Sequence, residues 1–114
     1  MPESTHSARL VLTSTSSREE AQRLAHALVE EQLAACASIL PGAESVYRWQ
    51  GAIETSAEAL LLIKTNAACL DALETRLHAL HSYETPEFLV LPLEAGSKGY
   101  LQWLEESLKK ENGA

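Results

Sequence analysis

The sequence predicts a single α+β domain whose segments follow the order β-α-β-β-α-β-α. Helical periodicity and short apolar, strand-like runs alternate along the chain, and a long hairpin separates the two main helices. The chain of 114 residues has room for one domain only. Residues 9–110 are predicted to form this domain, with a disordered leader over residues 1–8 and a tail over residues 111–114.

The first strand and the first helix are joined by a cluster of hydroxyl side chains. The apolar run 10–12 precedes residues 13–17, which are all serine or threonine. Two Ser–Glu pairs have the spacing of a capping box: Ser16 with Glu19, and Ser17 with Glu20. A helix over residues 18–33 is therefore predicted, with its apolar side chains at helical spacing.

The middle of the chain is predicted to be a long antiparallel hairpin. Pro41-Gly42 interrupts its first strand, which is typical of a bulge, a kink or an edge. Gln50-Gly51 supplies the reversal between the strands. The strand segments are residues 35–40 and 45–49 before the reversal and residues 52–55 and 59–65 after it.

The remaining elements follow from caps, leucine spacing and prolines. Asn66 is the predicted N-cap of the second helix, and Cys69 is interpreted as a small core residue beside that helix's leucine stripe. Pro86 ends the helical segment, residues 88–91 form a strand, and residues 100–110 form a last amphipathic helix. The stripe consists of Leu70, Leu73, Leu77 and Leu80.

Four strands and two crossover helices in this order are typical of the ferredoxin-like fold, here with an extra C-terminal helix. One antiparallel sheet then has helices on one face only. Apolar side chains on the hairpin indicate that the other face needs a partner, so oligomerisation is expected. These side chains are Val46, Tyr47, Trp49 and Ile53.

Composition excludes several kinds of partner. The formal net charge of −7 and the dispersed basic residues argue against nucleic-acid binding, and the longest apolar run, residues 59–63, is too short to cross a bilayer. The two cysteines, Cys36 and Cys69, form no C-x-x-C motif. A cytoplasmic protein with reduced thiols is therefore expected, and neither a metal ion nor a disulfide is required for folding.

Residues 78–87 concentrate coordinating and titrating side chains. His78 and His81 share a face if they lie on a helix, and Glu84 or Glu87 adds a carboxylate, which together suit Cu²⁺, Zn²⁺ or Ni²⁺. The alternative is that His78 is a solvent-facing helix residue and His81 a partner of the helix dipole.

Lys64, Tyr83 and Glu84 form a second candidate cluster, predicted as a polar pocket at a subunit boundary. Lys64 directly follows the apolar run of residues 59–63, so its amine is expected to be paired. A Lys–Glu pair in a cleft suits a small anionic metabolite, and the alternative is an interface salt bridge. The large aromatic residues are interpreted as packing and interface anchors: Tyr47, Trp49 and Trp103. No nucleophile–base combination is supported by a motif, so a protein that is not an enzyme is predicted.

Several segments in register resemble the CutA family, named for tolerance to divalent cations. They are residues 33–36, 39–42, 47–54, 62–65, the heptapeptide His-Ser-Tyr-Glu-Thr-Pro-Glu at 81–87, and 100–104, and they fit the family across residues 9–108. The chain departs from the family pattern at Ser38, where asparagine is usual. It also departs at Ser82, where proline is usual and the serine is expected to loosen the turn.

The resemblance implies a homotrimer in which strands of neighbouring subunits join edge to edge. It also implies a non-catalytic role in cation tolerance through divalent metal, copper(II) above all, in the cytoplasm. Because the trimer resembles that of PII-type signalling proteins, a small-ligand sensor is the alternative function, and a rigid scaffold is a third. The candidate metal ligands are His81, Glu84, Cys36 and His78, and the ligand-binding or interface residues are Lys64, Tyr83, Trp49 and Tyr47.

Overall fold

The computed structural model describes residues 2–110 and shows a ferredoxin-like fold. Its main sheet has the strand order β3-β4-β2-β5, and every neighbouring pair is antiparallel. The predicted fold class is therefore confirmed. The elements are β1 (Glu3–Ser4), β2 (Ala8–Thr15), α1 (Arg18–Glu30), β3 (Cys36–Trp49), β4 (Ala52–Asn66), a 3-10 turn (Ala67–Cys69), α2 (Leu70–Leu80), β5 (Leu89–Pro92), β6 (Ala95–Gly96) and α3 (Lys98–Glu106).

The N-terminal residues differ from the expected disordered leader. β1 pairs antiparallel with β6, and the Thr5 N–H donates to the Glu94 carbonyl oxygen at 2.9 Å. Strands of two residues carry no apolar alternation, so no sequence pattern indicates this pairing. Residue 1 and the predicted tail at residues 111–114 lie outside the described residues.

The hydroxyl cluster starts α1 as predicted, because the Ser17 side chain accepts a hydrogen bond from the Glu20 N–H at 3.1 Å. The helix ends at Glu30, earlier than the predicted Leu33, and Gln32 adopts a left-handed φ of 60°. A non-glycine residue with positive φ cannot continue a right-handed helix.

The core lies between one face of the main sheet and the helices. Cys69 belongs to a smaller cluster with Ala35, Leu104 and Leu108, so its interpretation as a core residue is confirmed. Leu80, predicted on the α2 stripe, is 38% exposed. The largest fully buried core side chains include Val11, Leu24, Leu28, Leu61, Ile63, Leu73 and Leu77.

A bulge in β3 reverses which side chains face the helices. Ile39 lies opposite Leu61, and both pack in the core. The register then shifts, so that Ala43 lies opposite Glu58, which is on the other face of β4 from Leu61. The irregularity predicted at Pro41-Gly42 is this bulge, and the positive φ of 81° at Gly42 suits a residue without a Cβ.

Leucines cover the face of the main sheet opposite the core. They are half-buried or exposed, and they lie next to one another across the strands. By contrast, Val46 and Ile53 lie on the other face of the hairpin from Tyr47 and Trp49. The predicted apolar face therefore consists mainly of residues other than those four. We call the set Leu10, Leu12, Leu40, Leu60, Leu62, Leu89 and Leu91 the leucine face.

β3 and β4 extend beyond the other strands as a two-stranded arm. β2 pairs only with the Ala59–Asn66 part of β4, so residues 43–49 and 52–58 pair with each other alone. A two-stranded ribbon has marginal stability in water, so the arm depends on further contacts. No helix within residues 2–110 is long and apolar enough to cross a membrane.

Candidate functional site

The loop between α2 and β5 divides into two neighbouring sites, one closed and one open. Its first residues, His81 and Ser82, contact the end of β2 and the start of α1. Its later residues, from Tyr83 to Glu87, line a groove against the arm. The candidate site must therefore be described as two parts.

Both ring nitrogens of the buried His81 are engaged in hydrogen bonds. Its Nε2 lies 2.7 Å from the Ser14 carbonyl oxygen, which only accepts, so Nε2 carries the proton. Its Nδ1 accepts a hydrogen bond from the Tyr83 N–H at 3.0 Å. This tautomer leaves no lone pair for a cation. Metal binding by His81 would therefore require a conformation other than this one.

The Glu20 carboxylate contacts His81 and its neighbour Ser82. Its Oε2 accepts a hydrogen bond from the Ser82 N–H at 2.7 Å and lies 3.7 Å from the His81 Nδ1. Its Oε1 accepts from the N–H and the hydroxyl of Ser16 at 3.2 and 3.0 Å, so the predicted capping box is only half formed. We call Ser14, Ser16, Glu20, His81 and Ser82 the polar knot.

The pKa of Glu20 reflects two opposing effects. Burial alone would raise it, because a buried carboxylate loses its hydration. The hydrogen bonds donated by Ser82 and Ser16 outweigh burial, and the pKa lies below the ordinary value of 4.5. Glu20 is therefore a buried anion whose charge is stabilised by the chain itself.

Ser82 stabilises the turn through a backbone hydrogen bond to Glu20, whereas the family pattern predicted that a serine here would loosen the turn. Its N–H is the closest donor to Glu20, and a proline at this position has no N–H to donate. His81 has φ −77° and ψ 143°, an extended conformation that also suits a residue before proline. Serine at this position thus supplies a hydrogen bond that proline could not make.

The open part is a groove with a volume of about 810 Å³ between the arm and the loop. Tyr47 and Trp49 lie on the same face of the arm as Glu58 because of the bulge in β3. We call this groove between the arm and the loop the aromatic-acidic groove. Three aromatic side chains and three carboxylates line it: Tyr47, Trp49, Tyr83, Glu58, Glu84 and Glu87.

Tyr83 connects the groove to the polar knot. Its hydroxyl donates to the Glu58 Oε2 at 2.8 Å, and its ring lies 4.8 Å from the His81 ring, centroid to centroid. Burial raises the pKa of Tyr83 to about 12, and the hydrogen bond to Glu58 and the charge of Glu58 act in the same direction. The phenol therefore stays protonated at neutral pH.

Lys64 lies apart from the groove. It is on the same face of β4 as Glu58, but about 20 Å further along the strand. Its Nζ donates to the Ser38 Oγ at 2.6 Å and to the Cys36 Sγ at 3.6 Å. One subunit therefore does not bring Lys64 together with Tyr83 and Glu84, although the expected pairing of the amine is present. The predicted pocket at a subunit boundary stays a prediction.

The four predicted metal ligands are dispersed. His81 lies in the polar knot, Glu84 in the groove and Cys36 beside Lys64. His78 is exposed at the end of α2, with its ring edge-on to Phe88. Among residues 2–110, no group of three or more His, Cys, Asp or Glu side chains is placed to hold a metal ion.

Sequence reasoning missed the parts played by Glu20 and Glu58. Glu20 was recognised only as a capping residue, although its spacing from the hydroxyl cluster indicated that it had hydrogen-bond donors nearby. Glu58 carries no motif. Its contact with Tyr83 joins residues that are distant in sequence, so only the folded chain reveals it.

A family model described as CutA1 divalent ion tolerance protein matches residues 9–107 of the chain. A chloroplastic CutA 1 protein of Oryza sativa is 44% identical over 101 residues, which cover 89% of this chain and 57% of that protein. The chain thus spans little more than half of this plant relative. The divalent-cation tolerance protein CutA of Thermus thermophilus is 47% identical, with 86% of this chain and 95% of that protein covered.

Solved structures show the same architecture. The structure of CutA from Synechococcus elongatus matches with a TM-score of 0.92 and 47% identity, and 96% of each chain is covered. The Thermus thermophilus structure matches with a TM-score of 0.88 and 45% identity, covering 90% of this chain and 99% of that one. A structure described as a periplasmic CutA from Archaeoglobus fulgidus matches with a TM-score of 0.87 and 34% identity, covering 90% and 99%.

Proposed function

Because the chain belongs to the CutA1 divalent ion tolerance family, we propose that it contributes to divalent-cation tolerance by binding the metal ion, copper(II) foremost. It acts by binding and not by catalysis. The proposal is supported by the names of its relatives and by the exposed imidazole of His78, a ligand type that copper(II) prefers. With His81 closed by its hydrogen bonds, His78 becomes the first candidate ligand.

We place the metal site between subunits of a homotrimer. The observation that carries this proposal is that one chain, over residues 2–110, brings no three suitable ligands together. The leucine face and the arm supply a reason to associate, because both leave apolar surface that a second copy would bury. The exposed His78 and Glu84 and the half-buried Cys36 would then meet their counterparts across the interfaces.

Copper titration of three histidine variants tests the proposal. Isothermal titration of Cu²⁺ is expected to give binding that His78→Ala weakens about ten-fold or more, since an imidazole ligand is lost. His26→Ala is the matched control, because His26 is also an exposed helical histidine. His81→Ala is expected to leave copper affinity unchanged.

Sedimentation equilibrium on the same sample checks the assembly. A homotrimer is expected to give three times the chain mass of 12.4 kDa. A measured mass of one chain would contradict a metal site shared between subunits. Equal copper affinities of His78→Ala and His26→Ala would remove His78 from the site. If copper does not bind at all, the metal-binding function itself is rejected.

A second candidate function is small-ligand sensing at the aromatic-acidic groove. The volume of about 810 Å³ is in the range of small-molecule sites, and the groove carries both aromatic and polar side chains.

A cytoplasmic location stays a prediction, because relatives are described as chloroplastic and periplasmic. The predicted absence of nucleic-acid and membrane partners also stays a prediction.

A further inference from the structure

We propose that Cys36 and Lys64 form a redox modification site, at which a peroxide converts the two side chains into a reversible sulfenamide cross-link. The cross-link joins the Cys36 Sγ to the Lys64 Nζ within one subunit. It goes beyond the proposed copper binding, but its consequence for copper rests on that proposed function, in which Cys36 is a ligand.

The fold already holds the two reacting atoms in contact. Cys36 on β3 lies directly opposite Lys64 on β4, so both side chains are on the same face of the sheet. The Lys64 Nζ donates to the Cys36 Sγ at 3.6 Å and to the Ser38 Oγ at 2.6 Å. The nearby backbone is fixed, because the Ala35 N–H donates to the Lys64 carbonyl oxygen at 2.8 Å. Atoms positioned to react are typically about 3.5 Å apart, so the amine is close to the position for attack on the sulfur.

The two cysteines differ in their suitability for oxidation. Cys36 is half-buried and lies beside a cationic amine, and reactive cysteines typically occupy partly exposed, electropositive surroundings. Cys69 is 4% exposed and packs in an apolar cluster, and burial raises the pKa of its thiol. The Cys69 thiol therefore stays protonated and unreactive, which makes this residue an internal control.

The cross-link forms in two steps. Hydrogen peroxide first oxidises the Cys36 thiol to a sulfenic acid, and the peroxide is reduced to water as its O–O bond breaks. The Lys64 Nζ then attacks Sγ, so that an S–N bond forms and the S–O bond breaks. Of the three ammonium protons, one stays on nitrogen, one leaves with the hydroxyl group as water and one is released to solvent. A dithiol reverses the reaction by supplying two electrons and two protons, and becomes a disulfide.

The cross-link requires no free surface on the assembled protein. Lys64 is on the same face of β4 as Leu60 and Leu62, so the pair lies at the end of the leucine face that a second copy would cover. The attacking amine belongs to the same subunit as the sulfur. Access of copper(II) to Cys36, which the proposed function requires, also admits a molecule as small as hydrogen peroxide. Because metals bind the thiolate, the cross-link is expected to withdraw Cys36 from the copper site.

Peptide mapping of the peroxide-treated protein, digested without reductant, provides the test. Trypsin cuts after lysine and arginine, so the unmodified chain gives Cys36 in peptide 24–48 and Lys64 at the end of peptide 49–64. The sulfenamide blocks cleavage after Lys64 and is expected to join residues 24–48 to residues 49–76, with the loss of two hydrogen atoms. Dithiothreitol is expected to separate them. A disulfide between Cys36 and Cys69 would instead join residues 24–48 to residues 65–76, and would overturn the inference.

Variants separate the cross-link from general cysteine oxidation. Lys64→Arg keeps a positive charge but removes the amine, and is expected to abolish the joined peptide and to leave Cys36 as its sulfinic or sulfonic acid. Lys64→Gln is a second variant without the amine and is expected to give the same result. Cys69→Ala is the matched control and is expected to form the joined peptide as the parent does. A cross-link to Cys36 that persists in both Lys64 variants would contradict the proposed chemistry.

Copper titration of the cross-linked protein tests the consequence for the metal site. The affinity for Cu²⁺ is expected to fall about ten-fold or more on cross-linking, and to recover once dithiothreitol has been added and removed. Equal affinities of the reduced and cross-linked forms would overturn this consequence. If the joined peptide forms but the reduced protein binds no copper, the proposed function fails and the redox site stands. Absence of the joined peptide after peroxide treatment overturns the redox site itself.

Discussion

The polar knot and the aromatic-acidic groove meet in the loop between α2 and β5 and are opposite in character. In the knot, His81 and Glu20 are buried and each meets donors or acceptors from the same chain. In the groove, Glu84 and Glu87 are exposed. Residue types that suit a metal ion thus form buried hydrogen bonds in the knot and a candidate binding surface in the groove. The availability of the polar atoms distinguishes the two, not their identity.

Tyr83 makes the two regions interdependent. Its backbone N–H belongs to the hydrogen bonds of the knot, and its side chain forms part of the groove wall. A rigid knot therefore holds one wall of the groove in place. Preorganisation of this kind lowers the entropic cost of binding, because the wall need not be ordered by the ligand.

Removing the carboxylate of the knot is expected to have the largest effect. Glu20→Ala leaves the Ser82 N–H and the Ser16 donors without their acceptor, which should reduce the free energy of unfolding by about 3 kcal/mol. Urea denaturation measures this difference. Glu19→Ala, at the exposed neighbouring position, is the control and is expected to cost less than about 1 kcal/mol. Equal losses would contradict the role of the knot.

Comparison with Glu20→Ala also shows how the stability contributed by Glu20 depends on pH. Because the pKa of Glu20 is lower in the folded state, its contribution is fully present above the ordinary value of 4.5 and is lost as pH falls through the lower folded value. The stability difference between the parent and Glu20→Ala should therefore shrink in acid. Urea denaturation at several pH values between 3 and 7 checks this. A difference that stays constant would contradict a charged Glu20.

Replacing the donor at position 82 is expected to have an intermediate effect. Ser82→Pro removes the N–H that Glu20 accepts, while its fixed φ restricts the unfolded chain, so the net loss should be about 1 kcal/mol. Ser82→Ala keeps the N–H and is the matched control. Thermal denaturation compares the two variants. If proline is as stable as alanine here, the backbone hydrogen bond contributes little to the knot.

Removing the phenol hydroxyl at the boundary is expected to cost about as much as removing the N–H at position 82. Tyr83→Phe loses the hydrogen bond to Glu58, at a cost of about 1 kcal/mol. The raised pKa of about 12 means that the hydroxyl contributes fully below its ordinary value of 10 and loses its contribution as pH rises towards 12. Urea denaturation from neutral to alkaline pH should therefore show a decline in the parent that Tyr83→Phe lacks. Parallel declines would contradict this assignment.

The sequence was informative wherever structure depends on neighbours along the chain. Asn66 accepts a hydrogen bond from the Cys69 N–H, although it caps the 3-10 turn that leads into α2 and not α2 itself. Pro41-Gly42 marks an irregularity in β3. These features depend on local sterics and nearby donors, which a short segment specifies by itself.

The candidate site was harder to predict. Tyr83 and Glu84 do line one groove, but Lys64 does not join them.

By itself, the sequence determined the order of the main elements, the hairpin and the family. Tertiary structure decided which polar atoms are left available. The hydrogen bonds from His81 to Ser14 and from Tyr83 to Glu58 join distant segments, and the bulge that places Tyr47 on the same face as Glu58 depends on cross-strand register. Register shifts and long-range contacts depend on how strands pair in three dimensions, so a linear pattern names the residues without specifying their partners.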